Sequence, residues 1–170
     1  QVGLINFHHP DIIGIQEPHL HQVEYLEENL DGYSWVGYGR ENGNEEGEFN
    51  PIFYKAEKFE LLKSDVFWLS ETPDKVSKTW DAGYTRICTW ALFKEKESSS
   101  KFYVFNTHFD SKGKQARLQS ASLINTKIKE IAKDAPVFVV GDFNFIPESD
   151  AYKEVLKYGL KDAKTIVQSE

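Results

Sequence analysis

Three apolar runs of this chain have the length of buried strands, and polar side chains follow at the C-terminal end of each run. These ends are Gln16-Glu17, Asn106-Thr107-His108 and Gly141-Asp142-Phe143-Asn144. If the three strands lie side by side, their ends converge on one face, which is where a sheet scaffold usually holds a functional site. The chain is therefore expected to fold around a sheet that gathers carboxylate, imidazole and amide groups at one place.

Helical and strand patterns alternate along the rest of the chain. Apolar residues at helical spacing predict helices over 1–9, 19–30, 116–133 and 149–158. Strands are predicted at 11–16, 33–38, 50–55, 85–93, 101–108 and 136–140, with weaker candidates at 59–62 and 66–69. The polar connector 94–100 predicts a hairpin, whereas 39–48 and 70–83 have the composition of loops. Long loops in compact domains are usually functional.

Length and charge restrict the class of protein further. A chain of 170 residues with 40% hydrophobic content predicts one domain over 1–170. A net charge of −7 argues against binding DNA by counterion release alone, but it permits a nuclease that carries its own cation. Cys88 cannot form an internal disulfide and is interpreted as a core residue. No apolar run reaches the roughly 18 residues of a membrane span, so a soluble chain is expected, with its compartment left open.

The polar strand ends suit hydrolysis of a phosphoester assisted by a hard cation. Mg²⁺ prefers oxygen ligands and is typically held by one or two carboxylates, which matches Glu17 with Asp142 and Asn144 as neighbours. The cation and nearby donors must offset the negative charge that grows on the phosphate in the transition state. His108 could be such a donor, and Asp142 could take a proton from the attacking water. A structural Ca²⁺ site is disfavoured, because calcium needs six to eight oxygen ligands.

Each of these residues also has a purely structural interpretation. Glu17 could be a favourable acid at a helix N-terminus. Asp142 and Asn144 could be turn residues that bond their own backbone, and His108 could be a structural histidine. The occurrence of all of them at the ends of buried strands favours a functional site.

The ordered set Ile15-Gln16-Glu17, Asn106-Thr107-His108 and Gly141-Asp142-Phe143-Asn144 resembles the endonuclease/exonuclease/phosphatase superfamily. The segments 48–55, 67–73 and 80–90 resemble a bacterial branch of that superfamily. The resemblance implies an α/β fold, a four-layer α/β/β/α sandwich of the deoxyribonuclease I-like type, incomplete in this chain. A first strand and a C-terminal Asp-His segment of the family pattern are missing from 1–170, so the sequence is expected to be an internal fragment.

The resemblance also implies roles for individual residues. Glu17 would be the principal Mg²⁺ ligand, with Mn²⁺ as a possible substitute, and Asp142 would orient or deprotonate the nucleophilic water. Asn144 would bind phosphate or the metal shell, and His108 would contact the scissile phosphate. Residues expected near the substrate by the same resemblance are Glu48, Arg86, Asp110 and Arg117.

Three aromatic residues are further candidates for contact with the substrate. Trp68, Trp80 and Tyr84, in or beside the 70–83 loop, could stack on a base, sugar or lipid head group, or could pack the loop onto the core. Basic residues at Lys112, Lys114 and Arg117 could attract a phosphate, or could be a solvated helix start. Nucleic acid is therefore not favoured over a small phosphoester, and no obligate protein partner is inferred.

Two functions from different classes remain open at the level of sequence. The first is a Mg²⁺-dependent hydrolase of phosphoester bonds, acting as a phosphodiesterase, endonuclease or phosphatase. The second is a binding or scaffolding domain that keeps the fold without catalysis, for which the missing terminal motifs are the main support.

Overall fold

The computed structural model describes residues 1–167; residues 168–170, the end of the predicted 1–170 domain, lie outside the described part. Five helices are described: α1 (Val2–His8), α2 (Leu20–Asn29), α3 (Lys114–Ile131), α4 (Asp150–Leu156) and α5 (Ala163–Val167). The strands are β1 (Ile12–Gly14), β2 (Tyr33–Val36), β3 (Ile52–Lys55), β4 (Phe59–Trp68), β5 (Ile87–Glu95), β6 (Lys101–His108) and β7 (Val137–Asp142). None of the described helices is long and apolar enough to span a membrane.

The strands form two separate sheets. The first sheet has the order β1-β3-β2 with antiparallel pairing throughout. The second has the order β4-β5-β6-β7, antiparallel except for the parallel pair β6 and β7. The β5–β6 hairpin confirms the sequence prediction. Because β6 and β7 are parallel neighbours, their C-terminal ends lie at the same edge of the second sheet.

The two sheets pack face to face through a cluster rich in aromatic residues. Ile52 and Tyr54 of the first sheet pack on Ala91, Phe93 and Val104 of the second. The two sheets approach closely at Gly14, where a Cβ atom would lie 2.6 Å from a methyl carbon of Val140 and 2.8 Å from Oδ1 of Asn106. A side chain at this position would displace one of these neighbours.

Helices cover the outer faces of both sheets. Val23 and Leu26 of α2 pack on the first sheet around Phe53. On the other side, Ala121 and Ile124 of α3 pack on the second sheet. The layers therefore follow the order helix, sheet, sheet, helix, which confirms the predicted four-layer α/β sandwich.

Several sequence predictions need correction. The three polar-tipped strands do not lie side by side, because β1 belongs to the first sheet and only β6 and β7 are neighbours. The two weak candidates at 59–62 and 66–69 are one strand, β4, whose register shifts between Leu61 and Lys63. A bulge of this kind breaks the alternation of apolar side chains on which strand prediction depends. The short helix α5 was not predicted, and it contains no buried residue.

Candidate active site

Strand pairing places His108 beside Asp142. The two residues are partners in the parallel β6–β7 register, and Nε2 of His108 lies 3.8 Å from Oδ2 of Asp142. One position earlier, Gly141 has a φ of 146°, and a Cβ atom there would lie 1.9 Å from the carbonyl oxygen of Thr107. Only glycine tolerates this contact, so Gly141 permits the close pairing that brings the strand ends together.

Glu17 reaches the same place from the opposite sheet. Its Oε1 atom lies 3.8 Å from Nδ1 of His108, and its backbone has a φ of 69°. A non-glycine residue in the left-handed region is uncommon and is frequently found at functional sites. The convergence expected from the sequence is therefore achieved across two facing sheets rather than along one.

Asn106, which the sequence analysis did not assign to the site, ties the two sheets together just behind it. Its Nδ2 atom donates to the carbonyl oxygens of Ile15 and Pro51 at 2.9 and 2.8 Å. Its Oδ1 atom accepts from Nε2 of Gln16 at 2.7 Å. Because the Asn106 side chain is fully buried, these three bonds fix the segment that carries Glu17 against β6.

Glu17, Glu48 and His108 form the cluster of potential metal ligands in the described residues. One ligand atom from each lies within 4.8 Å of the others. Glu48 also forms an ion pair with Arg40, so the cluster combines carboxylates with a nearby guanidinium. The Glu17 side chain is 66% exposed and faces solvent, whereas His108 is buried. The two carboxylates are the oxygen donors that a hard cation requires.

Asp142 and Asn144 combine the structural and functional interpretations considered from the sequence. The backbone N–H of Asn144 donates to Oδ1 of Asp142 at 2.9 Å, which is the turn bond expected for such residues. The Asn144 side-chain amide donates to the carbonyl oxygen of Phe109 at 2.9 Å and lies 3.0 Å from Nε2 of His108. Asp142 therefore keeps Oδ2 exposed toward the site while Oδ1 holds the turn.

Arg86 contacts the other side of the His108 ring. Its Nη1 atom lies 2.8 Å from Nδ1 of His108, and both side chains are buried. Burial, followed by the positive charge of Arg86, keeps the pKa of the His108 imidazole below its usual value, while Asp142 and Glu17 oppose the shift. His108 is therefore neutral near pH 7.

Asp110 supports Arg86 rather than facing the strand ends. Its Oδ2 atom lies 3.8 Å from Nε of Arg86, and its side chain is buried. Burial raises the pKa of the Asp110 carboxyl, but backbone hydrogen bonds from Gly113, Tyr84 and their neighbours outweigh it and lower the pKa overall. The carboxylate is therefore held charged. Nη1 of Arg117 donates to the Asp110 carbonyl oxygen at 2.9 Å.

Tyr84 lies at the rim of the site, among three cations. The ring centroid is 5.0 Å from Nζ of Lys112, 5.3 Å from Cζ of Arg86 and 5.6 Å from Cζ of Arg40. The Tyr84 side chain is 40% exposed, and its backbone N–H donates to Asp110. An aromatic ring held this way can contact a ligand without first being ordered.

Trp80 takes a different position from Tyr84. It has a φ of 56° and precedes Asp81, which caps α3 by accepting the backbone N–H groups of Gln115 and Ala116 at 3.1 and 2.6 Å. Within residues 1–167 no described hydrogen bond or ring contact joins the Trp80 side chain to Glu17, to His108 or to any other residue of the site. Stacking of Trp80 on a substrate stays a prediction.

An open cavity of about 580 Å³ lies next to the strand ends. Its lining includes Lys114, Arg117 and Asn144, together with Asp81 and the start of α4. This volume is in the range of small-molecule sites. The cavity thus contacts the site through Asn144, whereas Glu17, Glu48, His108 and Asp142 are not part of its lining.

The chain is similar to known proteins of one family. The sequence model described as "Endonuclease/Exonuclease/phosphatase family" matches residues 2–168. An uncharacterised protein of Acanthamoeba polyphaga mimivirus is 31% identical over 150 residues, which cover 84% of this chain and 56% of that protein.

Two solved structures share both fold and sequence. A mannosyl-6-phosphatase of Bacteroides thetaiotaomicron is 42% identical with a TM-score of 0.90, covering 93% of this chain and 60% of that one. An endonuclease/exonuclease/phosphatase of Bacteroides vulgatus is 45% identical with a TM-score of 0.89, covering 92% of this chain and 60% of that one. The chain thus spans little more than half the length of these relatives.

Proposed function

The chain belongs to the endonuclease/exonuclease/phosphatase family, and from this premise we propose that it acts as a magnesium-dependent hydrolase of phosphoester bonds. The observation that carries the proposal is the meeting of Glu17, Glu48 and His108 within 4.8 Å, beside Asp142. Carboxylate, imidazole and amide groups that meet at one place can hold a hard cation, accept a proton from water and donate to a phosphate oxygen. This combination supports hydrolysis of a phosphoester.

Glu17 and Glu48 are the residues proposed to hold Mg²⁺, with Mn²⁺ as an alternative. Two carboxylates agree with the ligand number that Mg²⁺ usually takes from a protein, the remaining positions being left to water and substrate oxygens. Exposure of the Glu17 carboxylate leaves room for those further ligands. When bound, the cation would supply charge to offset the phosphate oxygens and would lower the pKa of a coordinated water.

The remaining residues are assigned by their partners. Asp142 is proposed to accept the proton of the attacking water through Oδ2, because Oδ1 is already bonded to the backbone of Asn144. His108, buried and neutral, is proposed to donate a hydrogen bond to a phosphate oxygen. The Asn144 amide lies beside His108 and is proposed to contact the same phosphate. Each assignment uses a group already oriented by the fold, which lowers the cost of ordering it during the reaction.

A small phosphoester is the proposed substrate class. The chain carries 27 acidic against 20 basic residues, an unfavourable balance for binding a long polyanion. The cavity beside Asn144 has a volume suited to a small ligand. The 42% identical relative from Bacteroides thetaiotaomicron is a mannosyl-6-phosphatase, which favours a phosphate monoester of a small polar molecule over nucleic acid.

The test is hydrolysis by the intact protein after removal of metal with EDTA, with and without added Mg²⁺. Sugar phosphates, p-nitrophenyl phosphate, bis-p-nitrophenyl phosphate, single-stranded DNA and RNA would be compared at equal phosphate concentration. The proposal predicts Mg²⁺-dependent release of phosphate or alcohol, fastest on a small ester. Binding of these esters without turnover in Mg²⁺ or Mn²⁺ would contradict it and support the catalytically inactive binding domain.

A further inference from the structure

His108 is contacted on both ring nitrogens by groups that donate hydrogen bonds. Nδ1 lies 2.8 Å from Nη1 of Arg86, and Nε2 lies 3.0 Å from Nδ2 of Asn144. A neutral imidazole has one donor and one acceptor nitrogen, so it can accept from only one of these partners at a time. The structure therefore raises the question of which nitrogen carries the proton.

The guanidinium decides between the two tautomers. Arginine is permanently protonated in proteins and has no acceptor atom, so Nδ1 can only accept from Arg86. A hydrogen bond from a charged donor is stronger than a bond between neutral partners such as histidine and asparagine. The bond from Arg86 therefore prevails, and the proton is left on Nε2.

We propose that Arg86 is a positioning residue that fixes His108 in the tautomer protonated on Nε2, which makes His108 a hydrogen-bond donor toward the open side of the site. The Asn144 amide is already committed to the carbonyl oxygen of Phe109, and Oδ2 of Asp142 lies 3.8 Å away, beyond hydrogen-bond distance. Within the described residues, Nε2–H has no acceptor at hydrogen-bond distance. A phosphate oxygen between His108 and Asp142 would provide one.

The surroundings of Arg86 support a role beyond packing. Its Nε atom is buried with no hydrogen-bond partner, and the nearest Asp110 oxygen is 3.8 Å away. An unpartnered buried N–H lowers stability, so this position is not optimised for the arginine itself. Asp110 is in turn held by backbone N–H groups of Tyr84, Lys112 and Gly113 at 2.9, 2.9 and 2.7 Å. The backbone N–H groups thus fix Asp110, and the charge of Asp110 helps to hold the Arg86 guanidinium beside Nδ1 of His108.

The same contact restricts how His108 can take part in metal binding. Nδ1 is the nitrogen nearest to Glu17, and Arg86 occupies its lone pair. His108 is thereby excluded as a ligand through Nδ1, and the two carboxylates, Glu17 and Glu48, are the groups left for a hard cation.

The first test is a nitrogen-15 and proton NMR spectrum of the intact protein with labelled histidine, which reports the protonated nitrogen directly. The His108 signal is identified among the five histidines by its absence in His108→Asn. We expect the proton on Nε2 in the unsubstituted protein and in Arg86→Lys, which keeps a cationic donor. Arg86→Met should lose this preference. A proton on Nδ1 in the unsubstituted protein overturns the proposal without any variant.

A matched control separates the hydrogen bond from general charge. Arg40→Met removes an equally charged, largely buried side chain that contacts Glu48 rather than His108, so the tautomer should not change. An equal change in Arg40→Met and Arg86→Met would contradict the proposal. So would an unchanged tautomer in a folded Arg86→Met.

The kinetic consequence rests on the proposed function. Arg86→Met should lower kcat by about a hundredfold, the scale of losing one preorganised donor, with a smaller change in KM, and Arg86→Lys should recover part of the loss. Loss of kcat without a change of tautomer would contradict the positioning role. If the protein has the expected tautomer but no hydrolase activity, the positioning of His108 by Arg86 stands and the proposed function is contradicted.

Discussion

Oε1 of Glu17 and Nδ1 of His108 lie 3.8 Å apart, although Glu17 follows β1 of the first sheet and His108 ends β6 of the second. β1 passes close to β6 and β7 at Gly14, where an added Cβ atom would lie 2.6 Å from Val140 and 2.8 Å from Asn106. The site is therefore a property of the packed sandwich rather than of one strand. Substitutions that alter the sheet-to-sheet contact should change the site even where they touch no ligand.

Replacement of Glu17 by glutamine should weaken metal binding. The amide keeps the size of the side chain but removes its negative charge, so the Mg²⁺ concentration for half-maximal hydrolysis should rise at least about tenfold. Asp134→Asn, which removes an exposed carboxylate in the turn after α3, is the control and should leave the Mg²⁺ titration unchanged. An unaltered titration in Glu17→Gln would remove Glu17 from the proposed ligands.

Gly14→Ala should destabilise the sandwich. Its Cβ would lie 2.6 Å from Val140 and 2.8 Å from Asn106, and overpacking of this kind costs about 1–3 kcal/mol. Gly3→Ala is the matched control, because nothing lies within 4 Å of the added methyl and the position is helical. Urea unfolding measures both. Equal stabilities for the two variants would argue against the close sheet contact at Gly14.

Asn106→Leu should destabilise the protein and also reduce turnover. The change removes the side-chain donor of the Ile15 carbonyl oxygen and the acceptor of the Gln16 amide, whereas the Pro51 carbonyl oxygen keeps the backbone N–H of Ile15. A buried polar group left without its partner costs about 1–3 kcal/mol. Turnover should fall because the segment before Glu17 loses its attachment to β6. Asn29→Leu is the control: it removes an exposed hydrogen bond from the Asn29 side-chain amide to the Tyr25 carbonyl oxygen within α2. It should change the free energy of unfolding by less than about 0.5 kcal/mol. Full activity in a folded Asn106→Leu variant would show that the site does not depend on the attachment of the Glu17 segment to β6 through Asn106.

Asp110 should make stability depend on acidic pH. Its pKa is lower in the folded state than its usual value near 3.8, because backbone N–H groups stabilise the carboxylate. A depressed pKa contributes stability that is present above the unfolded value and is lost as pH falls through the folded value. The stability difference between the unsubstituted protein and Asp110→Asn should therefore shrink on acidification. If this stability difference did not depend on pH, Asp110 would not have the lowered pKa in the folded state.

Local patterns were sufficient to predict most helices and strands, whereas the roles of the site residues stay predictions. Apolar runs and the residues that follow them predicted the hairpin of β5 and β6. They also predicted the polar residues at the ends of β1, β6 and β7. The strand that pairs with β1 could not be predicted, because pairing between distant segments depends on packing rather than on the strand's own sequence. The condition that all three strands lie side by side is not met for that reason.

The supporting residues were harder to predict than the candidate ligands. The sequence marks Asn106 only as part of a motif, yet its apolar surroundings, with Val104 and Phe105 before it, indicate burial and hence a need for partners. Asp81 caps α3 from the preceding loop, whereas capping residues are usually found next to the helix they cap. Neither the contact of Arg86 with His108 nor that of Arg40 with Glu48 has a local sequence signal.

Turnover of a small phosphoester in Mg²⁺ by Asp142→Ala and His108→Ala tests the central claim most directly. If the strand ends of the two sheets form one catalytic site, each variant should lose at least about a hundredfold in kcat, the scale of a general base or a preorganised donor. The double variant should lose much less than the product of the two, since the residues act together. Near-normal turnover in either single variant, with the fold intact, would contradict the account.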